Sequence, residues 1–336
     1  MTAGLRILSA GPGATLQDAG RTGFLRFGVT EAGPMDQLAF ATANLAAGAA
    51  PGTAAIEIGT GGMDLGVAGA VVTVGVAGEG FFVTLDGKAV PETARLRLQP
   101  GQRLSIGPGA SGGWCYLAVP GGFDLAPALG SLSTHSRSGL GGLFGRMLAG
   151  GDLLPLRQPF LAGDPATGEL VAPWLDRPGE TIRVMLGPQD DYFDAAAIET
   201  FLSTEWSLSA RSDRMAYLLE GTTLNHSKGF NIVSDGIALG AVQVPGDGRP
   251  FVLMADRQPT GGYPKIATVI GPDLARLANL RPGETFRFAA VEWEEAVAAR
   301  RAEAEALARP PVFAPLLRTE LPAELLLAQN LVDGIA

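Results

Sequence analysis

Residues 71–119 read VVTVGVAGEGFFVTLDGKAVPETARLRLQPGQRLSIGPGASGGWCYLAV, and this stretch decides the fold class. Short alternating or β-branched runs of this kind are typical of strands. The runs are 71–76, 81–85, 94–98, 103–106 and 114–119. Turn signals at Asp86–Gly87 and Pro100–Gly101 separate them. Strands at such close spacing predict a β-barrel or β-sandwich.

Similar runs lie on both sides of this stretch. They are 5–9, 54–58, 181–186, 216–219, 238–244, 251–255, 267–270 and 285–289. Glu57 lies between apolar neighbours in one of them, so a buried carboxylate there would need a partner. A strand enters a Gly-Pro turn at both Gly11 and Gly187, which suggests a faint internal repeat. Two related β units are therefore expected, with the boundary within residues 161–178.

Four segments have helical spacing or composition. Residues 36–48 have an Asp able to cap the helix start and a Gly at its end, 195–202 is short, and 292–309 stops before two prolines. The fourth, 323–332, is strongly apolar. We predict a mainly β chain with short helices, divided into subdomain A (1–165), subdomain B (166–290) and a C-terminal helical segment (291–336).

Composition excludes several classes of protein. The net charge is -9 and no run of Lys or Arg stands out, which argues against a nucleic-acid partner or an anionic membrane surface. The first residues lack the features of a signal peptide. The most apolar tract, 65–78, is too short to span a bilayer and is expected to form a pair of buried strands. With one cysteine, a cytoplasmic location is expected.

Two overlapping motifs resemble known sites and fail on context. The GPGASG run at 107–112 and the GASGG run at 109–113 precede a strand rather than a helix, so neither a dinucleotide loop nor a nucleophile elbow is predicted. There is no Gly-Lys-Ser/Thr, so a phosphate-binding P-loop is absent. With two histidines and one cysteine, no metal site is predicted.

The segment 11–44 has the densest set of polar residues able to bind or catalyse. Gln17, Asp18, Arg21 and Asp36 are separated by glycines that allow close backbone approach to a ligand. A second segment, SLSTHSR at 131–137, holds Ser133, Thr134, His135 and Arg137. His135 could act as a base and Arg137 could hold a carboxylate. The alternatives are an Asp18–Arg21 surface pair and a capped turn with an exposed histidine.

A third group comes from the second unit. Arg214 lies in RSDRM, Gln243 in VQVP, and the run 255–265 reads ADRQPTGGYPK. Glycines in that run can form an anion nest, and an aromatic ring and a rare lysine follow them. The candidates in that run are Gly261, Gly262, Tyr263 and Lys265. A structural Asp213–Arg214 pair and an ordinary strand-joining loop are the alternatives.

These motifs together resemble a known family. QDAGR (17–21), GPMD (33–36), PGGFD (120–124), STHSRSGLGGLFGR (133–146), SDRM (212–215), LMADRQPTGGYPKIATVI (253–270) and NLVDG (330–334) are similar, in order, to the allophanate-hydrolase-subunit-2 family. The family includes the C component of bacterial 5-oxoprolinase, an antagonist of a sporulation kinase inhibitor, and the A/B part of the urea carboxylase carboxyltransferase domain.

The resemblance implies two cyclophilin-like β-barrels. It also implies a partner homologous to the kinase-inhibitor-like protein that forms the B component of 5-oxoprolinase, with or without a third component, A. The expected activity is ATP-dependent opening of 5-oxoproline to glutamate. The alternatives are transfer of carboxyl from carboxybiotin to urea, and a non-catalytic antagonist of the inhibitor-like partner. The chain has neither a biotinyl-lysine signature nor a nucleotide loop, so ATP or carboxybiotin is expected on other chains.

We expect the loops 11–36, 131–137 and 257–265 to converge at one barrel mouth and to bind a small amide there. Arg21 and Arg214 are the candidates for carboxylate or carbonyl contacts. Asp36 and His135 are the candidates for proton transfer, and Tyr263 and Lys265 for lining and charge.

Overall fold

The computed structural model describes residues 3–161, 163, 167–177 and 180–316. The predicted helix at 323–332 and the NLVDG motif lie outside these residues.

Two antiparallel sheets form the first unit. Its strands are β1 (Gly4–Ala10), β2 (Thr15–Gln17), β3 (Ala55–Ile58), β4 (Met63–Ala68), β5 (Val72–Gly78), β6 (Phe81–Leu85), β7 (Lys88–Val90), β8 (Ala94–Leu98), β9 (Arg103–Pro108), β10 (Cys115–Ala118), β11 (Leu153–Pro155) and β12 (Gly168–Leu170). One sheet has the order β11-β1-β4-β9-β6-β7, and the other includes β2-β3-β10-β5-β8-β12. Leu65 and Ile106 of the first sheet and Val74 and Leu117 of the second belong to one apolar core.

A closed barrel forms the second unit. The strands of this part are β13 (Thr181–Leu186), β14 (Trp206–Leu208), β15 (Ala216–Glu220), β16 (Asp235–Gly236), β17 (Ala241–Gln243), β18 (Phe251–Leu253), β19 (Thr260–Gly261), β20 (Lys265–Val269) and β21 (Thr285–Ala290). The barrel order is β13-β20-β17-β18-β15-β14-β21, and parallel pairing of β13 with β21 closes it. Strands β16 and β19 pair with each other in a separate two-stranded sheet.

Four helices lie in the described ranges. They are α1 (Gln37–Ala47), α2 (Ala195–Ser203), α3 (Gly271–Asn279) and α4 (Trp293–Ala308), with short 3-10 turns at Leu25–Phe27, Ser136–Ser138, Pro173–Leu175 and Asp190–Tyr192. Helices α1 and α3 join the two units, and α1 packs between Tyr116 of the first unit and Ala275 of α3. After α4, strand β22 (Phe313–Ala314) returns to pair with β12 of the first unit. No helix in the described ranges is both long and apolar enough to cross a bilayer.

The prediction of a mainly β chain is confirmed, and the predicted helix at 36–48 begins and ends as expected. Asp36 accepts hydrogen bonds from two backbone N–H groups of α1, and Gly48 has the left-handed conformation that ends a helix. Strand β4 lies in the tract 65–78, where a pair of buried strands is expected, whereas helix α3 and the short strands β2, β7, β11, β12 and β14 are not predicted from the sequence. Helix α3 has no side-chain cap at its start, so its sequence lacks the usual signal. Pairing of β12 with β8 carries the first unit's sheet past residue 165.

One close approach of helix to sheet depends on Gly75. A Cβ at this position would lie 2.3 Å from the carbonyl oxygen of Ala43 and from the amide nitrogen of Ala47 in α1. We expect Gly75→Ala to lower the free energy of unfolding by about 1–3 kcal/mol, because the helix must move off the sheet. Urea denaturation measures this difference.

Gly107 is the matched control. It also lies within a strand, β9, but an added Cβ would meet only the Phe82 carbonyl oxygen at 4.0 Å. Gly107→Ala should leave stability unchanged or slightly raised. Equal losses in the two variants would contradict the proposed helix–sheet contact.

Candidate functional site

A cavity of about 430 Å³ lies between the two units. The first unit contributes turns after β1 and β3, together with Trp114 and the 3-10 turn that contains Arg137. The barrel unit contributes Tyr217, residues 212–215, Asp256 and residues 280–282. The wall therefore combines aromatic and apolar surface with a few charged groups, as small-molecule sites commonly do. We call this space the inter-unit cavity.

Arg214 is the best-anchored charged group in the inter-unit cavity. Its Nη1 donates to Glu57 of β3, and its Nη2 donates to the Gly33 carbonyl at 2.7 Å. Its Nε and Nη2 also donate to the Asp256 carboxylate at 3.0 and 2.9 Å. One side chain of the barrel unit is thus bound to two segments of the first unit. Glu57, whose sequence context requires a partner, finds it 157 residues away.

The charges of this cluster are buried. Glu57 is fully buried and also accepts from the Met35 N–H at 2.8 Å and the Tyr116 hydroxyl at 2.7 Å. Burial raises the pKa of Glu57, and the Arg214 charge opposes that rise. Burial alone would lower the pKa of Arg214, but Glu57 and Asp256 outweigh it and raise the pKa. Arg214 therefore stays charged at any working pH.

Asp36 lies in a second buried cluster that touches the first. Besides capping α1, its carboxylate accepts from Asn279 Nδ2 at 2.6 Å and from Arg177 Nη2 at 3.0 Å. Its backbone N–H donates to the Tyr116 hydroxyl at 2.9 Å, and that hydroxyl donates to Glu57. Asp36 is fully buried and does not line the inter-unit cavity. Its contacts hold α1, α3 and the first unit together.

Asp18 joins the 11–36 loop to the 131–137 loop. Its carboxylate accepts from the hydroxyls of Ser131 at 2.6 Å and Ser133 at 2.7 Å, and from two backbone N–H groups. These two loops do converge, as the sequence predicts. The polar groups of the two loops form hydrogen bonds with each other. Neither Asp18 nor Ser133 is among the residues lining the inter-unit cavity.

Gln17, Arg21 and Thr134 have a similar structural setting. Gln17 donates to the Thr134 carbonyl at 3.1 Å, and Arg21 donates to the carbonyls of Ala128 at 3.0 Å and Ser133 at 2.7 Å. Arg21 is only 1% exposed, and burial lowers the pKa of its guanidinium. These side chains, too, are absent from the cavity wall.

Arg137 lines the inter-unit cavity, whereas His135 is not among the lining residues and only precedes Ser136, which is one of them. His135 is 8% exposed, and its Nδ1 shares a hydrogen bond of 2.8 Å with Ser138. Arg137 lines the cavity, where it contacts Asp213 at 2.6 Å and the Met215 sulfur at 3.0 Å. Of the predicted site residues, Arg137 and Arg214 are the two that line this cavity.

We expect His135 to be neutral at pH 7. Burial lowers its pKa below 6.5, the Asp256 charge opposes this, and nearby arginines add to the lowering. An NMR titration of the imidazole signals should give a midpoint below 6.5. Because the unfolded chain then takes the proton more readily, His135 should also reduce stability as the pH falls below about 6.5.

The assignment is direct because the chain has two histidines. His226→Gln leaves only the His135 signals, and His135→Gln leaves only those of His226. A midpoint for His135 at or above 6.5 would contradict the expected burial effect.

The remaining predicted residues form a separate group at the barrel. Gln243 and Lys265 are buried, Gly261 and Gly262 lie in the segment above them, and Tyr263 is 39% exposed. Arg257, in the same segment as Gly261, bonds to Glu31 at 2.7 Å, so the third loop reaches the first. None of these residues lines the inter-unit cavity.

Sequence reasoning did not select Asp256, Tyr116, Trp114 or Tyr217. The aromatic residues lie in apolar strand-like runs, where nothing distinguishes a cavity wall from a core. Asp256 lies in the run 255–265, from which other candidates were chosen, so its place in that run could have identified it. Within the described ranges, no group of three or more His, Cys, Asp or Glu side chains is arranged to hold a metal ion.

Comparison with known proteins gives a consistent result. The family model described as the carboxyltransferase domain, subdomain A and B, matches residues 27–290. The chain is 38% identical to the C component of Escherichia coli 5-oxoprolinase over 300 residues, covering 88% of this chain and 94% of that protein. It is 31% identical to the urea amidolyase of Saccharomyces cerevisiae, covering 84% of this chain but 16% of that protein.

Solved structures agree with the sequence comparisons. The Kluyveromyces lactis urea carboxylase superposes with a TM-score of 0.84 at 28% identity, covering 95% of this chain. This chain spans only 30% of that protein's chain and 21% of the K. lactis urea amidolyase chain, which gives a TM-score of 0.85. The family match covers most of the chain, and the fold agrees with it. The chain therefore belongs to the carboxyltransferase subdomain A and B family.

Proposed function

We propose that this chain is the C component of an ATP-dependent 5-oxoprolinase, which opens 5-oxoproline to glutamate. The observation that carries the proposal is its 38% identity to the C component of the E. coli enzyme over 94% of that protein's length. The proposed partners are a homologue of the inhibitor-like B component and a third component, A. The enzyme would be active only as this complex.

The inter-unit cavity is the proposed site of the amide. Arg214 has five N–H groups, of which four have acceptors, so one N–H on Nη1 is without a protein acceptor among the described residues. We propose that it donates to the amide carbonyl oxygen, where negative charge develops when water adds. Two carboxylates fix its position, so little reorganisation is needed during the reaction.

His135 is the proposed proton acceptor. A neutral imidazole is able to take a proton from water near pH 7, and burial supports that neutral form. For Asp36 we propose a structural role instead of the proton transfer expected from sequence. Its carboxylate is committed to α1, Asn279 and Arg177, which argues for holding the two units in place.

ATP and carboxybiotin are proposed to be supplied by partner chains. The three arginines lining the inter-unit cavity have partners: Arg214 and Arg137 are paired with carboxylates, and Arg281 donates to three backbone carbonyls. They offer a poor fit to a triphosphate. The single cysteine, Cys115, is buried and unpaired, which supports a reducing compartment such as the cytoplasm.

A carboxyltransferase component of a urea-type carboxylase is the second candidate. The family model and the TM-score of 0.84 to a urea carboxylase favour it. In that case the same cavity would receive the acceptor amide, and carboxybiotin would arrive on another chain.

Turnover by the reconstituted complex separates the two candidates. The chain is purified with its partners, the homologues of the B and A components, and glutamate release from 5-oxoproline is measured with and without ATP. A parallel reaction contains urea, a biotinylated carrier, bicarbonate, ATP and a biotin carboxylase, which together regenerate carboxybiotin. The proposal predicts ATP-dependent glutamate without the carrier. Carrier-dependent consumption of urea with no glutamate would replace it by the second candidate, and no turnover in either reaction would contradict both.

A further inference from the structure

A buried lysine and a buried glutamine are neighbours in the barrel, outside the inter-unit cavity. Gln243 of β17 is directly opposite Lys265 of β20 in the antiparallel register, and the two residues are 0% and 2% exposed. Opposite residues of such a pair project from the same face. The register shifts between Val242 and Gln243, and irregularities of this kind re-aim side chains next to functional sites.

Gln243 has an unused acceptor. Its Nε2 donates to the Tyr263 carbonyl at 3.2 Å, but its buried Oε1 has no hydrogen-bond partner among the described residues. Buried acceptors in native proteins are almost always paired, so an unpaired one needs an explanation. A ligand N–H would satisfy it.

Lys265 has a counter-charge that comes from outside the barrel. Its Nζ lies 3.0 Å from the Asp235 carboxylate, and its side chain is 3% exposed against 56% for Asp235. The only other acceptor in reach among the described residues is the Gly236 carbonyl, at 3.5 Å. Asp235 lies on β16, which is two residues long and pairs with β19 through two residue pairs. A buried ammonium thus depends on an exposed carboxylate of a small accessory sheet.

Gly261 of the accessory sheet lets the backbone pass close to the Gln243 side chain. A Cβ on Gly261 would lie 2.8 Å from Gln243 Nε2 and 2.7 Å from Ile237 Cδ1. Glycine in a strand often marks such a close approach. The β16–β19 sheet therefore covers Gln243 and also provides the carboxylate bound to Lys265.

We propose that Lys265 and Gln243 form a binding site for a small carboxylate that carries an N–H next to its carboxylate-bearing carbon. Asp235 occupies the carboxylate position until the ligand displaces it. The ammonium then pairs with the ligand carboxylate, and Gln243 Oε1 accepts the ligand N–H. This site is separate from the inter-unit cavity, which remains the proposed place of the reaction. The choice of 5-oxoproline as the ligand rests on the proposed function, whereas the carboxylate site rests on the contacts of Lys265 alone.

Calorimetric titration of the full chain with three matched probes tests the site. 5-Oxoproline has both groups, cyclopentanecarboxylate lacks the N–H, and 2-pyrrolidinone lacks the carboxylate. We expect binding to weaken in that order. Lys265→Met should weaken 5-oxoproline binding at this site at least about tenfold, and binding in the inter-unit cavity should be the same in both proteins. Gln243→Leu should abolish the preference for 5-oxoproline over cyclopentanecarboxylate, an effect that a purely structural role would not produce.

The sharpest test is Asp235→Asn, because this variant is expected to raise the affinity for 5-oxoproline. Removing the competing carboxylate should tighten 5-oxoproline binding about two- to fivefold. Lys228 and Asp191 are the matched controls, because they form an exposed pair with 55% and 61% exposed side chains. Lys228→Met and Asp191→Asn should change nothing. Should Lys265→Met fail to fold, Asp235→Asn and Gln243→Leu still decide the question.

Two outcomes overturn the site. One is unchanged affinity in Asp235→Asn together with an unchanged probe preference in Gln243→Leu. The other is equal loss of affinity in Lys228→Met and Lys265→Met. Lys265-dependent carboxylate binding without ATP-dependent turnover in the complex would leave the site standing and refute the proposed function. ATP-dependent turnover in the complex, together with 5-oxoproline binding that Lys265→Met does not change, would support the proposed function and refute the Lys265 site.

Discussion

Replacing Arg214 with leucine is expected to lower the free energy of unfolding by about 3–5 kcal/mol. The change leaves the fully buried Glu57 and the 10% exposed Asp256 without their cation. Breaking a buried ion pair by removing one partner is costly because the other charge stays buried. Urea denaturation at pH 7 measures this loss of unfolding free energy. The expected loss is far larger than the loss from breaking an exposed ion pair.

The loss should also depend on pH in a defined direction. Burial raises the pKa of Glu57, and without Arg214 nothing of opposite charge among its described contacts restrains that rise. A carboxyl whose folded pKa is raised stabilises the fold below its unfolded pKa and loses that contribution as the pH rises. The deficit of Arg214→Leu should therefore be larger at pH 8 than at pH 5.

Arg287→Leu is the control for Arg214→Leu. Arg287 pairs with Glu205 at 2.9 Å, with exposed fractions of 51% and 50%. An exposed pair of this kind contributes about 0–1 kcal/mol. The account of the buried cluster fails if the two arginine variants lose similar stability, or if the Arg214→Leu deficit shrinks as the pH rises.

Replacing Asp36 with alanine is expected to cost about 2–4 kcal/mol of stability, summed from two contributions. Loss of the helix cap contributes about 1 kcal/mol. Loss of the acceptor for Asn279 and Arg177 adds about 1–3 kcal/mol, because both donors are buried. Arg177 retains Glu79 at 3.2 Å, which limits the cost. Denaturation curves of the purified variant measure the sum.

Asp194→Ala separates capping from the other contacts. Asp194 caps α2 by accepting from the Ala197 N–H at 2.8 Å. Asp36 also accepts from the side chain of Asn279, and Asp194 has no such side-chain donor among the described residues. Its removal should therefore cost about 1 kcal/mol. Equal losses in Asp36→Ala and Asp194→Ala would show that the links from Asp36 to Asn279 and Arg177 add nothing.

Local sequence signals predict most of the elements in this fold. The cap at Asp36, the C-terminal glycine of α1 and the turn signals between strands act within a few residues, so the sequence displays them directly. Helix α3 begins at Gly271–Pro272 without a side-chain cap, and β2 is only three residues long. Where the local signal is weak, packing against the rest of the molecule decides the structure.

The candidate site is only partly predictable, because its contacts connect distant positions. The sequence context of Glu57 requires a partner, but no local pattern indicates that the partner is Arg214. The spacing suggests that Asp18 pairs with Arg21, yet Asp18 binds Ser131 and Ser133 more than a hundred residues away. Arg177 comes from a segment without periodicity and has no signal at all.

The most direct test of the inter-unit cavity is turnover by the complex containing Met215→Trp. Met215 lines the cavity, and the larger indole would narrow it without removing a charge. Phe82→Trp, at a 69% exposed position outside the cavity wall, is the control. We predict that Met215→Trp assembles with its partners and loses ATP-dependent glutamate release, whereas Phe82→Trp keeps it. Full turnover in a folded Met215→Trp complex would contradict the assignment of the reaction to this cavity.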